Sequence, residues 1–408
     1  MKEITGIFTI IGLGISAIVA LFLALELILR IVKWSIATYF LNEVKFKDFA
    51  SDEYKHYIDW VESWDKAMFH YLPIGFRLFN TDNPIPPVKT NPLGFRCDTF
   101  TEPKEDELRI MILGGSTAWG CGASSNEATI AGQLEKLINS DKRLLNSFDK
   151  AKCYNLAQVN GSQTQDLLTV LFFASKIRPH YAVSLTGWNE LACNYLMKPD
   201  IIKKYGVFYL YEMEGWEPLG VGENIVRLLN KTFWLWMSDK SQAIKILYSF
   251  KNKKNAVTKL SVKEQVCLGE EPFIRHLYLM QKLSKAFDFK HFQFMQPYIY
   301  RKKHLTEQEN KVVYLYDNLR PVHGGKETSS FLSETDIYSS IMVSAQKDAR
   351  LGSVVDLCDI FREEEDNMFY TLVHLNDAGY RKMAEKIYEV LLKSHQANSR
   401  NVDYAKFE

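Results

Sequence analysis

Ser116 is where this chain offers covalent chemistry. Residues 109–122 read RIMILGGSTAWGCG, an apolar run that ends in two glycines and then presents one serine hydroxyl. A buried parallel strand reads as a continuous apolar run, and glycine at its carboxyl end lets the backbone turn sharply enough to stand a hydroxyl at the mouth of a sheet. A phosphate-binding loop is excluded, because it ends in Gly-Lys-Ser/Thr or follows G-x-G-x-x-G, and neither pattern can be laid over these residues. For the loop taken alone, a purely structural glycine-rich turn is the alternative.

Three further segments supply what acyl transfer at a serine needs. Residues 155–166 read NLAQVNGSQTQD, follow a short strand at 152–155, and place Gly161 in a loop whose N–H can face an oxyanion. Residues 181–190 read YAVSLTGWNE, again strand then turn, with Asn189 at the strand's carboxyl end. Residues 369–380 read FYTLVHLNDAGY, with His374 just ahead of a helix that Asn376 or Asp377 can cap. Serine, glycine N–H, asparagine amide and histidine together make a nucleophile, an oxyanion hole and a general base.

The order Ser, Gly, Asn, His, in the settings GGST, NxAxxNG, GWNE and VHLNDAGY, resembles the SGNH (GDSL-like) hydrolases over residues 109–390. The resemblance implies Ser116 as nucleophile, His374 as base, and an oxyanion hole of the Ser116 N–H, the Gly161 N–H and the Asn189 side chain. It implies no cofactor. Two positions depart from the family pattern. Thr371 stands where the family has the aspartate that orients the imidazole, and Glu190 stands where the asparagine motif usually ends in aspartate. Thr371 itself, Asp366, the run Glu363 to Glu365, or a backbone carbonyl are the groups left to orient the ring. The implied activity is a serine-dependent ester hydrolase or acyltransferase acting on an O-acylated, for example O-acetylated, carbohydrate or lipid at the cell envelope. The contrasting class is a non-catalytic, membrane-anchored binding or scaffolding protein that keeps the fold, which the threonine at 371 favours.

The elements that must position these residues alternate. Apolar strand patterns at 109–114, 152–155, 181–186, 291–297 and 353–358 are interleaved with helical patterns at 129–138, 166–175, 273–287 and 378–392. That rhythm predicts an α/β fold, a three-layer α/β/α sandwich with a parallel sheet of about five strands, flavodoxin-like in class, with ligands beyond the strands' carboxyl ends. The domain is expected at 107–395, interrupted at 195–271 by an aromatic, helical insertion and followed by a polar tail at 396–408. Residues 34–106 read as a connecting segment stiffened by prolines 84, 86, 87 and 92, whose ending NPLGFR resembles a segment found in membrane-attached family members. Arg96 in that ending could clamp an anionic substrate group or simply pack its stem.

At 408 residues, 47% hydrophobic and 24% charged, the chain is globular in composition, and its formal net charge of +1 gives no electrostatic case for nucleic acid. The six cysteines form no C-x-x-C pair and no His/Cys cluster at zinc spacing, so no metal site is expected. Residues 4–25 carry no charge, and a run of 22 spans a hydrocarbon core of about 30 Å. The expectation is a single-pass transmembrane helix within residues 1–33. The basic residues after it favour a cytoplasmic domain by the positive-inside rule, whereas the family resemblance implies an extracytoplasmic one, and the latter is preferred.

Overall fold

The computed structural model describes residues 88–192, 199–208, 260–314 and 326–404, with shorter pieces at 14, 16–17, 20–31, 69–72, 76–79, 241 and 316–317. The chain divides into two compact units: Met1–Lys55 with Trp216–Lys259, and His56–Gly215 with Leu260–Glu408.

The second unit holds all the candidate site residues. Ahead of the main sheet, β1 (Phe69–Leu72) and β2 (Phe76–Phe79) form an antiparallel hairpin. The main sheet contains β3 (Glu107–Gly114), β4 (Lys150–Asn155), β5 (Tyr181–Thr186), β6 (Lys290–Met295) and β7 (Ser353–Asp356). All neighbouring pairs are parallel, in the order β4-β3-β5-β6-β7. The chain leaves β3 for one side and returns to the other, so the strand order reverses between β3 and β5. In sheets of this type the crevice at that reversal, beyond the carboxyl ends, is where ligands bind.

Alternation along β3 decides what each face buries. Met111 and Leu113 join Tyr154, Leu156 and Ala182 in one core with Val170, Ala174 and Ile177 of α3 (Gln163–Ile177) and Met280 of α5 (Val262–Ala286). Ile110 and Ile112 point the opposite way, because successive strand side chains alternate. There the apolar faces of α2 (Ile130–Asp141) and α9 (Asp377–Tyr404) pack on one another. Two helical layers around one parallel sheet give the three-layer architecture.

The elements between these are α1 (Ser116–Trp119), directly after β3, and α4 (Pro199–Tyr205). Between β6 and β7 lie α6 (Glu307–Tyr314), α7 (Lys326–Glu334) and α8 (Ser339–Lys347), none of which the sequence patterns indicated. Helix α5 begins eleven residues ahead of the expected Phe273, since Ser261 and Glu264 form a capping box and the helix continues through Pro272. Of the expected aromatic insertion, Phe208 is buried, whereas Tyr209, Tyr211, Trp216, Phe233, Trp234 and Trp236 lie outside the described residues.

The amino-terminal expectation is corrected. Among the described residues no helix is long and apolar enough to cross a membrane. The described helical stretch at 20–31 runs on past the uncharged residues to an ion pair, Arg30 Nε to Glu26 Oε1 at 2.8 Å, and Ser241 Oγ donates to the other Glu26 oxygen at 2.7 Å. The transmembrane anchor and the extracytoplasmic placement built on it are therefore withdrawn; residues 4–13, 15, 18 and 19 of the uncharged run lie outside the described residues.

Candidate active site

Ser116 follows β3 through two glycines, each with a different physical reason. Gly114 has φ of +130°, and a Cβ there would lie 2.1 Å from the Leu185 carbonyl oxygen of β5. Gly115 has an ordinary φ of −86°, but a Cβ on it would stand 2.6 Å from Asn189 Nδ2 and 3.1 Å from the Gly161 carbonyl oxygen. The first glycine is needed for the turn, the second for close approach. Together they bring the segments of Ser116, Gly161 and Asn189 to one point at the end of β3.

Asn189 sits in a π-helical turn, Trp188–Ala192, that follows β5. Its Nδ2 donates to the Gly161 carbonyl at 2.7 Å, which fixes the amide plane and leaves the second Nδ2 proton to point elsewhere. Gly161 therefore enters the site in a way the sequence did not indicate. Its own N–H closes a turn onto the Gln158 carbonyl at 2.8 Å, with Asn160 at φ of +59°, and it is the carbonyl that faces Asn189.

His374 comes from 258 residues away and completes a dyad: its Nε2 lies 2.8 Å from Ser116 Oγ. With the hydroxyl donating, Nε2 is the acceptor and the ring proton sits on Nδ1. Thr117, the residue after Ser116, ties the two partners together. Its hydroxyl donates to the Val373 carbonyl at 3.2 Å and accepts from Gln296 Nε2 at 3.3 Å. Asn376 rather than Asp377 caps α9, its Oδ1 accepting the Gly379 N–H at 2.9 Å, while Asp377 reaches across to accept the Ser124 N–H at 2.9 Å.

The groups considered for orienting His374 are placed as follows. Thr371 Oγ1 accepts the backbone N–H of His374 at 3.0 Å and of Val373 at 3.4 Å, so its hydroxyl sets the direction of the turn. Asp366 is exposed, and what it contributes is its backbone carbonyl, which accepts from Lys302 Nζ at 2.6 Å. Glu363 and Glu364 are paired with Lys303 and Lys382. These pairings account for Glu363 and Glu364 as ion pairs.

A brace that the sequence did not reveal holds this histidine loop. Lys302 Nζ meets Glu309 Oε2 at 2.5 Å, with both side chains fully buried. Glu309 Oε1 accepts the N–H of Met368 at 2.9 Å and of Phe369 at 3.2 Å, where the loop pairs back on itself through Phe369 and Leu375. Removing one partner of such a pair leaves an uncompensated buried charge. Lys302→Met is expected to lower unfolding stability by about 3–5 kcal/mol, and adding Glu309→Leu should recover part of the loss. Urea unfolding followed by circular dichroism checks this, and an additive double variant would count against the pairing.

Arg96 is not a substrate clamp. It is buried over the Trp119 ring at 4.7 Å and donates to the carbonyls of Gly120 (2.6 Å), Ala123 (3.2 Å) and Ser125 (3.0 Å) and to Asn126 Oδ1 (3.0 Å). These four bonds fix the loop after Ser116. Among the described residues, no group of His, Cys, Asp and Glu is arranged to hold a metal ion.

No family model matches the sequence, and neither does any curated protein. Among solved structures, the chain is similar to an acetyl xylan esterase at 11% identity, covering 69% of this chain and 99% of that one with a TM-score of 0.34. It is similar at 8% identity to a lipase/acylhydrolase from Enterococcus faecalis, covering 70% and 96%, TM-score 0.35. A catalytic mutant of an acetylxylan esterase from Geobacillus stearothermophilus matches at 10% identity over 70% and 94%, TM-score 0.36. Likenesses this distant leave the chemistry to the side chains.

Electrostatically, burial perturbs the imidazole of the pair. Burial of the imidazole lowers the His374 pKa from its usual value to about 4, because the low-dielectric surroundings disfavour the cation. The neutral ring, the form able to accept the Ser116 proton, is therefore populated at all pH values above about 4. The acid limb of kcat/KM, which reports the free enzyme, should fall well below that of an ordinary histidine. A pH–rate profile checks this; an acid limb at the ordinary imidazole value would contradict it. The same depression makes the unfolded chain bind a proton first, so this group's contribution to stability is lost as pH falls from the ordinary histidine range through about 4.

Proposed function

We propose that this protein is a serine-dependent ester hydrolase that works through an acyl-enzyme on Ser116. The observation that carries the reading is the 2.8 Å contact of His374 Nε2 with Ser116 Oγ beside the Asn189 amide, at the reversal point of a parallel sheet. In the first half-reaction Ser116 Oγ attacks the acyl carbonyl as its proton passes to His374 Nε2. The oxyanion is held by the Ser116 N–H, which at the start of α1 has no acceptor in its own helix, and by the second Nδ2 proton of Asn189. Gly161 serves through its carbonyl, which aims that amide. His374 then returns the proton to the leaving alkoxide, and a water molecule releases the acyl group by the reverse sequence.

Acyl transfer to an alcohol uses the same groups and differs only in what enters after the first half-reaction. The substrate is an acyl ester, with O-acetylated carbohydrate and lipid esters as the classes to assay. The test is steady-state and rapid-mixing hydrolysis of aryl esters of increasing acyl length by the full chain. A burst of alcohol equal to the enzyme concentration supports the acyl-enzyme; turnover with no burst and no dependence on Ser116 would overturn it. Adding an acceptor sugar or alcohol then separates hydrolase from transferase by product.

A further inference from the structure

Two carboxyl groups lie buried behind the nucleophile turn and touch neither member of the dyad. Glu190, the residue after Asn189, accepts the Gly187 N–H on Oε2 at 2.8 Å and the Gln163 N–H on Oε1 at 2.8 Å. It thereby ties the start of the Asn189 turn to the start of α3. Asp166, in the first turn of α3, is buried near the Gly114 backbone and the Ser184 hydroxyl. Its Oδ2 is buried with no hydrogen-bond partner among the described residues.

A row of neutral polar side chains with a fixed direction of hydrogen bonding lies beside Asp166. Gln281 Nε2 lies 3.1 Å from His291 Nδ1, and as an amide nitrogen it donates. His291 therefore carries its proton on Nε2 and donates to Ser184 Oγ at 3.0 Å, so the Ser184 hydroxyl proton is free to turn toward Asp166. Burial holds His291 neutral, with its pKa lowered to about 3. No cation in this row compensates a second negative charge.

The Glu190 charge is felt at Asp166, and two carboxylates coupled in a desolvated site resist ionising together. Glu190 accepts an N–H on each oxygen, which suits an anion; Asp166 keeps one oxygen bare, which an anion tolerates worst. We propose that Asp166 is the neutral member and Glu190 the charged one, and that Glu190 is a positioning residue whose charge holds the turn presenting Asn189. Burial raises both groups, Glu190 to about 7 and Asp166 well above the carboxylate range, with the charge of Glu190 adding to the rise of Asp166. The function of Glu190 rests on the reading of Asn189 as oxyanion donor; the protonation of Asp166 does not.

The test uses the full chain at mildly alkaline pH. Glu190→Gln offers one carbonyl to two N–H donors and is expected to lower kcat by about 10–100-fold with KM unchanged. Asp166→Asn replaces a neutral acid by its isostere and should keep kcat within about 3-fold of the parent. In an Asn189→Ala background Glu190→Gln should add almost nothing, because residues acting through one another are not additive. At the same mildly alkaline pH, where Glu190 is ionised, infrared difference spectra should show a carboxylic-acid C=O stretch that disappears in Asp166→Asn. Full kcat in Glu190→Gln, full additivity with Asn189→Ala, or absence of that band overturns the proposal. The infrared readout needs no activity, so a parent without Ser116-dependent turnover would refute the esterase reading and leave the carboxyl pair still decided.

Discussion

Ser116→Ala is expected to abolish ester hydrolysis while leaving the fold intact. The hydroxyl is only partly buried and its described contact is with His374 Nε2, so its removal opens no core cavity. A thermal transition matching the parent's is the control. When nucleophile and base act as one unit, losing either costs on the order of 10⁶ in kcat in the best-studied case, subtilisin. Residual turnover should come only from the oxyanion donors and substrate binding, on the order of 10³–10⁴ over water. A purified variant that keeps even a tenth of the parent's kcat would mean that another group performs the attack.

Asn189→Ala carries the next largest effect, a fall in kcat of about 10²–10³ with KM nearly constant, because the amide meets charge that develops only in the transition state. The geometry adds a qualification to a simple deletion. Asn189 Nδ2 also donates to the Gly161 carbonyl, so alanine frees that carbonyl beside the nucleophile. Asn189→Asp separates the two effects: it has no donor and adds repulsion, and should be worse than alanine. A loss carried in KM alone would assign Asn189 to substrate positioning.

The strands were legible because each is short, apolar and followed by a turn signal. The five expected patterns fall on β3 to β7 with boundary shifts of a few residues. Helix α5 was misjudged for a physical reason: Pro272 reads as a stop, yet the Ser261–Glu264 capping box and the packing of Gly269 against the Glu190 backbone carry the helix through it. A second capping box, Thr306 with Glu309, marks the start of α6 and was readable as T-E-Q-E, but nothing local says that the same glutamate also meets Lys302 and the Met368 amide. Ion pairs and amide contacts between distant loops leave no periodic trace.

The candidate site was legible in its residue types and not in its hydrogen bonds. Ser116, Asn189 and His374 are brought together, but the N–H of Gly161 is engaged with Gln158 and Thr371 braces backbone. Whether a carbonyl or an N–H of Gly161 faces the site depends on the turn at Asn160, where φ is positive, and composition does not report that choice. The apolar amino-terminal run shows the opposite failure. Its length suggested a spanning helix, whereas among the described residues no helix is long and apolar enough to cross a membrane.

Labelling with a fluorophosphonate probe, read by peptide mass spectrometry, tests the central claim most directly. A serine with its proton held by a neutral imidazole is nucleophilic toward phosphorus, and an unassisted hydroxyl is not. The account predicts one adduct per chain, on Ser116, lost in Ser116→Ala and strongly slowed in His374→Ala. Absence of labelling in folded protein, or an adduct on a different residue with Ser116 unmodified, would contradict it.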